Sequence, residues 1–221
     1  MRFRALASDY DGTLARDGKV APEILSALQQ VRASGWKLIL LTGRELDELR
    51  ELFPHMDLFD LVAAENGALL HAPATGESRP LCADADQSFV KTLVDRGVPV
   101  SVGRCIVATV KPYDDVALEI IHKSGLALQI IYNKEAVMIL PVGVSKATGL
   151  SSALAELALP ESDVVGIGDA ENDHAFLSRC GLSVAVANAI PTLKERVDQV
   201  TIGEDGAGVV EIIDQLLTHN P

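Results

Sequence analysis

Short apolar segments alternate with amphipathic segments at both ends of this 221-residue sequence. Residues 38–41 and 164–167 are continuous apolar runs, which are typical of strands buried on both faces of a sheet. Apolar residues recur at helical spacing in residues 22–34, which begin at a proline and stop before Gly35. Alternation of this kind implies a parallel sheet that helices cover on both faces. The sequence therefore predicts an α/β fold with a Rossmann-like core.

The middle of the chain breaks this alternation. Pro, Gly, Thr and Ser cluster in residues 72–80, and residues 84–140 then combine two helical patterns with three strand patterns. We interpret the stretch as a small α+β cap inserted into the core. The predicted division is a core domain of residues 1–77 and 142–221, with a cap domain of residues 78–141.

The segment boundaries follow from the same patterns. The predicted strands cover residues 5–9, 37–41, 61–64, 68–71, 105–110, 126–131, 136–140, 164–167 and 183–186. The predicted helices cover residues 22–34, 45–53, 87–96, 114–123, 145–157, 172–178 and 208–217. Residues 65–67 contain an Asn-Gly pair, which predicts a hairpin turn.

The formal net charge of −12 limits the partners of the protein. Nucleic acid and an anionic membrane surface would be repelled, so we expect neither as a partner. A phosphorylated substrate would need a local cation, either a metal ion or well-placed Lys and Arg side chains. No apolar run approaches the roughly 18 residues of a membrane span, and no signal-peptide pattern precedes Asp9. Three scattered cysteines indicate a reducing compartment, so we expect a soluble, cytoplasmic protein.

The segment DYDGTL, residues 9–14, directly follows the first predicted strand. Ligands of an open parallel sheet bind beyond the carboxyl ends of its strands, where Asp9 and Asp11 would lie. Two acids at positions i and i+2 can face one crevice, and Gly12 lets the chain turn away after them. An ordinary Asp-Gly turn with solvated carboxylates is the alternative, and the apolar strand before it argues against that reading.

A second acidic segment, GDAEND at residues 168–173, follows another apolar strand. If Asp9, Asp11, Asp169 and Asp173 were close together, they would repel one another strongly. A hard divalent cation would relieve the repulsion, and an oxygen-rich site of this kind suits Mg²⁺. The alternative is a helix N-terminus at which acids favour the dipole, which accounts for Glu171 and can extend to Asp173 but leaves Asp169 unexplained.

Thr42, Gly43 and Lys146 complete the candidate site. Thr42 follows a strand, so its hydroxyl and the Gly43 amide would face the same crevice and suit phosphoryl oxygens. Alternatively, Thr42 caps the following helix. Lys146 lies in a first helical turn, where it opposes the helix dipole, and a role in neutralising a phosphate explains that position. A solvated surface lysine is the alternative.

Four features occur in one order: DYDGT at residues 9–13, the strand-end TGR at 42–44, the helix-start Lys146 and GDAEND at 168–173. Together they resemble the four motifs of the haloacid dehalogenase-like hydrolases. The insertion between the threonine and lysine motifs, with ENGA at residues 65–68 and EDG at 204–206, resembles the type IIB, or Cof-like, subfamily. The likeness spans nearly the whole chain. It implies a magnesium-dependent phosphatase that acts on a small phosphorylated metabolite through an aspartyl-phosphate.

The resemblance also implies residue roles. Asp9 would be the nucleophile, and Asp11 would be the acid and then the base. Thr42, Gly43, Lys146 and Asn172 would bind or position the phosphoryl group. Mg²⁺ would be held by Asp9, the Asp11 backbone carbonyl and Asp169, with Asp173 as a ligand or a support.

Two other functions use similar residues. A receiver-type phospho-switch also has acids, a threonine and a lysine around magnesium, but such domains are shorter and have no cap. A phosphomutase would use the same core, although the cap type favours hydrolysis. The candidate cap groups for the leaving group include several cations, which suits a carboxylate or a second phosphate, as in phosphoglycolate or a sugar phosphate; they are Arg104, Lys111, Tyr113, Asn133 and Lys134. Ordinary cap surface is the alternative for each of them.

Overall fold

The computed structural model of the chain describes residues 3–219, which form twelve strands and eight α-helices joined by loops and short 3₁₀ turns. The strands are β1 (Ala5–Asp9), β2 (Lys37–Leu41), β3 (Leu61–Ala64), β4 (Leu69–Ala72), β5 (Glu77–Pro80), β6 (Ser101–Val102), β7 (Val107–Val110), β8 (Leu128–Asn133), β9 (Ala136–Pro141), β10 (Val164–Gly168), β11 (Leu182–Ala185) and β12 (Gln199–Val200). The helices are α1 (Pro22–Ala33), α2 (Leu46–Leu52), α3 (Gln87–Asp95), α4 (Asp114–Ser124), α5 (Lys146–Leu157), α6 (His174–Leu177), α7 (Pro191–Lys194) and α8 (Asp205–His219). None of the helices in this range is both long and apolar enough to cross a membrane.

Eight strands form one sheet in the order β12-β11-β10-β1-β2-β3-β4-β5. The strands from β12 to β3 are parallel, and β4 and β5 extend one edge in antiparallel pairing. All residues of β1 and β10 are buried, because helices cover both faces of the sheet. Helix α1 packs against α8, and α5 packs against α6. The predicted α/β core is confirmed.

A second sheet has four antiparallel strands in the order β6-β7-β9-β8. On one face, Val107 and Ile139 join an apolar cluster with the side chains of α3 and α4. On the other face, Met138 and Leu140 pack with Ala68 of the large-sheet region. Alternate residues of β9 therefore pack inside this small α+β unit or against the core, as the period of two along a strand requires.

The predicted domain boundary lies close to β5. This strand pairs with β4 in the large sheet, so a boundary between residues 77 and 78 falls inside it. Residues 1–2 and 220–221 of the predicted core lie outside the described residues. We retain the division into a core of residues 1–77 and 142–221 and a cap of residues 78–141 as a proposal.

The register of the parallel strands places the site. Asp9, the last residue of β1, lies beside Leu41, the last residue of β2. Ser8 lies beside Ile167 of β10, so the segments after β1, β2 and β10 all leave the sheet at the carboxyl ends of the parallel strands. Because β1 is flanked by β2 and β10, Thr42 and Asp169 emerge on either side of Asp9.

Candidate active site

Asp9 and Lys146 form a buried ion pair at the end of β1. The Asp9 side chain is about 5% exposed, and the Lys146 side chain is fully buried. The Lys146 Nζ donates to Asp9 Oδ1, whereas Asp9 Oδ2 is buried and has no hydrogen-bond partner among the described residues. One carboxylate oxygen of Asp9 is therefore available for a ligand at the carboxyl ends of the parallel strands.

Lys146 is charged although it is buried. It is the first residue of α5, next to the N-cap residue Ser145, whose backbone N–H donates to the Thr148 hydroxyl at 3.0 Å. Burial alone lowers the pKa of Lys146, but the charges of Asp173 and Asp9, and hydrogen bonds to both, raise it above its ordinary value. The ammonium offsets the negative charge around Asp9.

Asp173 links the lysine to the loop after β10. Its Oδ1 accepts from Lys146 Nζ at 2.6 Å, and its Oδ2 accepts from the backbone N–H groups of Asp169 and Ala170 at 2.8 and 3.0 Å. Both carboxylate oxygens of Asp173 are therefore already bonded. The contacts orient Lys146 and hold the Asp169 backbone in place.

Asp169 lies between the core and the tip of the β8–β9 hairpin. Its Oδ2 accepts from Lys134 Nζ at 2.6 Å, and its Oδ1 accepts from the Thr13 hydroxyl at 3.4 Å. Gly12 lies against the same carboxylate: its φ is +81°, and a Cβ there would lie 2.5 Å from Asp169 Oδ2. A side chain at position 12 would therefore be strained and would collide with Asp169.

Asp9, Asp169 and Asp173 form a compact group of carboxylates. One oxygen from each lies within 4.8 Å of the other two, and all three residues are buried. Burial raises the pKa of Asp9 well above its ordinary value, and the charges of Asp173 and Asp169 add to this against the opposing effect of Lys146. Burial and the charge of Asp173 also raise the pKa of Asp169. A cation bound here would relieve these costs.

This group fits a hard divalent cation. Oxygen donors are the ligands that such ions prefer, and within residues 3–219 the buried Oδ2 of Asp9 is an acceptor without a donor. Asp169 pairs with Lys134, whose side chain is partly exposed, so a metal ion can replace this ammonium at the Asp169 carboxylate. Asp173 fits a supporting position better, because its two oxygens bond Lys146 and the backbone.

Asp11 is turned toward Arg44 and lies outside the compact carboxylate group. Arg44 Nε and Nη2 donate to the two oxygens of Asp11 at 2.7 and 2.8 Å in a bidentate pair. Arg44 also bonds Glu48, in the first turn of α2. The side chains of Asp11 and Arg44 are 36% and 23% exposed. The structure thus brings three of the four predicted acids together through their side chains and places the fourth beside them.

Thr42 and Gly43 follow β2 as the sequence predicts. The Thr42 hydroxyl accepts from the Arg44 backbone N–H at 3.1 Å, which braces the turn before α2. The helix itself begins after Glu45, so Thr42 is not its N-cap residue. Thr42 is fully buried, and Gly43 lies close to the cap, since a Cβ at Gly43 would come 3.0 Å from Met138 Sδ.

Asn172 bonds a residue that the sequence analysis did not assign to the site. Its Nδ2 donates to Asn66 Oδ1 at 3.1 Å, while Asn172 Oδ1 and Asn66 Nδ2 are buried without partners among the described residues. Asn66 lies in the predicted turn, at a φ of +54°, and its backbone N–H donates to the Thr42 carbonyl. A left-handed Asn before Gly was readable as a turn, but its approach to Asn172 depends on tertiary structure.

A crevice of about 600 Å³ opens beside Asp9, Asp11 and Gly43. Core loops and the cap sheet both line it; the residues that matter here are Asp9, Asp11, Gly43, Arg44, Asn133 and Lys134. Of the five cap groups proposed from the sequence, Asn133 and Lys134 reach this crevice. Arg104 pairs with Asp84, and Lys111 lies over the Tyr132 ring. Tyr113 packs against the apolar cluster of the cap.

Comparison with known proteins agrees with this architecture. A family profile for haloacid dehalogenase-like hydrolases matches residues 6–108 and 104–213. The chain is 34% identical over 224 residues to phosphoglycolate phosphatase 2 of Saccharolobus solfataricus, covering 97% of this chain and 93% of that protein. It is 30% identical over 223 residues to a phosphoglycolate phosphatase of Methanothermobacter thermautotrophicus, covering 97% and 99%. A HAD subclass IIB sugar phosphatase has the same fold, with a TM-score of 0.77 at 18% identity and 98% coverage of each chain.

The chain therefore belongs to the haloacid dehalogenase-like hydrolase family. It is a phosphatase, that is, a phosphoric monoester hydrolase.

Proposed function

We propose that the protein hydrolyses a small phosphomonoester of the phosphoglycolate type, with Mg²⁺ and through an aspartyl-phosphate on Asp9. The observation that carries the proposal is the state of the Asp9 carboxylate. One oxygen is held by Lys146, the other is uncommitted, and the residue lines the crevice. The names of the archaeal relatives at 34% and 30% identity support phosphoglycolate as the first substrate to test.

In the first step, a carboxylate oxygen of Asp9 attacks phosphorus, and the bond between phosphorus and the ester oxygen breaks. Asp11, in its protonated form, gives its proton to the departing oxygen, so that an alcohol leaves. An acyl phosphate on Asp9 remains. Covalent catalysis of this kind divides one displacement into two easier ones.

In the second step, water attacks the phosphorus of the acyl phosphate while Asp11, now a carboxylate, takes a proton from that water. The bond between phosphorus and Asp9 breaks, which restores the Asp9 carboxylate and releases inorganic phosphate. Asp11 ends the cycle protonated, ready for the next substrate. Proton transfer by a positioned side chain contributes about 10²–10⁴-fold to such steps.

The remaining residues supply charge and position. We assign the phosphoryl oxygens to Lys146, the Thr42 hydroxyl and the Gly43 amide, with Asn172 and Asn66 placed to orient them. We assign the metal to Asp9 and Asp169, with the Asp11 backbone carbonyl as a third ligand and Asp173 as the support of Lys146. When bound, Mg²⁺ would neutralise the charge that develops on the transferring phosphoryl group.

The test compares wild type, Asp9→Asn and Asp17→Asn with phosphoglycolate and Mg²⁺. Asp17 is an exposed acid that lines the same crevice, so its variant matches the charge change without touching the proposed nucleophile. We expect Asp9→Asn to have no detectable turnover and Asp17→Asn to stay within a fewfold of wild type. Phosphate release measures both, and chelation should stop the wild-type reaction. A folded Asp9→Asn variant that kept more than a few per cent of the activity would contradict the proposal.

A further inference from the structure

Lys134 is delivered to the core by the tip of a cap hairpin. It lies between β8 and β9 at a φ of +54°, a left-handed conformation that a lysine rarely adopts. Its backbone N–H donates to Glu171 Oε2 at 3.0 Å, which docks the tip on the loop after β10. The position of the ammonium is therefore fixed from both ends: the backbone by Glu171, and the side chain by its contact with Asp169.

The ammonium of Lys134 reaches the carboxylate group described above. Nζ donates to Asp169 Oδ2 at 2.6 Å, while the side chain keeps 48% of its surface exposed to the crevice. A Cβ placed on Gly12 would lie 3.2 Å from this nitrogen, so the lysine lies directly over the loop that follows Asp9. Lys134 is thus a cap cation within a few ångström of the proposed phosphoryl site.

The other cations of the crevice pair with carboxylates that we do not assign to the metal. In the described part of the chain, three cationic side chains line the crevice: Arg16, Arg44 and Lys134. Arg16 pairs with Asp205 and Glu204, and Arg44 holds Asp11 and Glu48. Lys134 is different, because its partner is Asp169, the carboxylate that we assign to the metal.

Metal binding would therefore release this lysine. A divalent cation and an ammonium within a few ångström of each other repel strongly, and one oxygen of Asp169 cannot hold both without cost. The freed ammonium would remain in a crevice that also carries the carboxylates of Asp17, Glu48 and Asp205. Without a free cation, an anionic leaving group would meet these carboxylates and two arginines that already pair with carboxylates.

We propose that Lys134 gives up Asp169 when the divalent cation binds and then binds the carboxylate of the substrate's leaving group. The inference rests on the proposed function, and it names the residue that selects phosphoglycolate over esters without a second charge. A two-carbon acid is short, so the cation that binds its carboxylate must lie next to the phosphoryl site. Lys134 meets that requirement.

The kinetic test uses two esters and two variants. The esters are 2-phosphoglycolate and 2-hydroxyethyl phosphate, in which a CH₂OH group replaces the carboxylate. We expect Lys134→Met to lose about 10–100-fold in kcat/KM on phosphoglycolate, mainly through KM, because a charge-assisted hydrogen bond is lost. On hydroxyethyl phosphate it should stay within about threefold of wild type, because this ester has no carboxylate for the ammonium to bind. Lys111→Met is the matched control, since Lys111 is a cap lysine that lies over Tyr132.

A second readout needs no turnover. Calorimetric titration of the substrate-free protein with Mg²⁺ should show several-fold tighter binding by Lys134→Met than by wild type, because a competing ammonium is gone. Equal losses on the two esters, an unchanged KM for phosphoglycolate, or unchanged Mg²⁺ affinity would each overturn the proposal. If wild type hydrolyses neither ester, the proposed function fails, and binding of phosphoglycolate then decides: weaker binding by Lys134→Met supports the assignment of Lys134, and equal binding rejects it.

Discussion

Asp11 is held by two hydrogen bonds from one arginine, and this pair has a bearing on catalysis. Arg44 donates from Nε and Nη2, so both Asp11 oxygens are occupied. To protonate a leaving group, Asp11 must release at least one of them. A bidentate pair is rigid, so it also keeps the carboxylate beside the crevice when no substrate is present. In the proposed mechanism, Arg44 would restrain Asp11 until a substrate oxygen replaces one of its contacts.

Asp11→Asn separates the two chemical steps when the leaving group needs no proton. With 4-nitrophenyl phosphate, the leaving phenolate is stable, so phosphoenzyme formation should change little. Decay needs the base and should slow by about 10²–10⁴-fold. Rapid-quench measurements should then show a burst of nitrophenolate and accumulated phosphoenzyme, neither of which we expect from wild type. If the variant's phosphoenzyme decayed as fast as that of wild type, Asp11 would have no part in the second step.

The sequence was informative about single residues where a motif follows a strand. Asp9, Thr42 and Asp169 lie where strand ends predict them, because the positions of strand ends follow from local apolar runs. The partners of these residues were not readable. Lys134 and Asp169 are 35 residues apart, and Arg44 and Asp11 are 33 apart. Such contacts depend on how the cap and the loops pack, which local patterns do not determine.

Among the connecting elements, residues 65–67 have more than the role of a turn. Glu65 is 2% exposed and has a φ of +52°. Its carboxylate accepts three backbone N–H groups from the cap: Arg104 at 2.9 Å, Cys105 at 2.7 Å and Ile106 at 3.0 Å. The core thereby holds the segment that leads into β7.

Glu65→Gln should loosen this attachment. An amide has one acceptor oxygen, and its NH₂ group faces a donor, so at least one buried N–H loses its partner. We expect a loss of about 1–3 kcal/mol in the free energy of unfolding. Amide hydrogen exchange should become faster at residues 104–106. Glu77→Gln, an exposed change in β5, is the control. Unaltered exchange at residues 104–106 would show that Glu65 does not anchor the cap.

The contacts of Glu65 explain one of the differences between the predicted and the observed elements. The pattern predicts a strand at 105–110, but β7 begins at Val107, because the amides of residues 104–106 bond Glu65. Strand β5 was missed because its residues are mostly exposed and polar, and its evidence is the backbone pairing with β4. The predicted helix at 172–178 is a 3₁₀ turn followed by the short α6. In contrast, β1 and β2 have the predicted bounds, since burial on both faces leaves a continuous apolar signal.

In the molecule as a whole, negative charge is concentrated where the core and the cap meet. Three buried carboxylates face Lys146 and Lys134, in a protein whose net charge is already −12. Folding has to bring these charges together, and a ligand that binds only the folded state repays that cost by mass action. The stability of the protein should therefore depend on the divalent cation.

Mg²⁺ should raise the melting temperature of wild type by about 5–10 °C when its concentration is 100 times the dissociation constant. Asp169→Asn should lose most of this shift, since it removes one proposed ligand. Calorimetric or fluorescence melting measures both, with NaCl at equal ionic strength as the control for general screening. A shift of the same size in Asp169→Asn would place the bound ion elsewhere.

The anchor formed by Glu65 has a consequence for how such a cap can change over time. Its three donors are main-chain groups, which every amino acid except proline provides. The hydrogen bonds to Glu65 therefore do not depend on which side chains stand at positions 104, 105 and 106, so the sequence of this segment can vary while the attachment to Glu65 is kept. Proline at any of these positions would remove one of the three hydrogen bonds to Glu65, because proline has no backbone N–H.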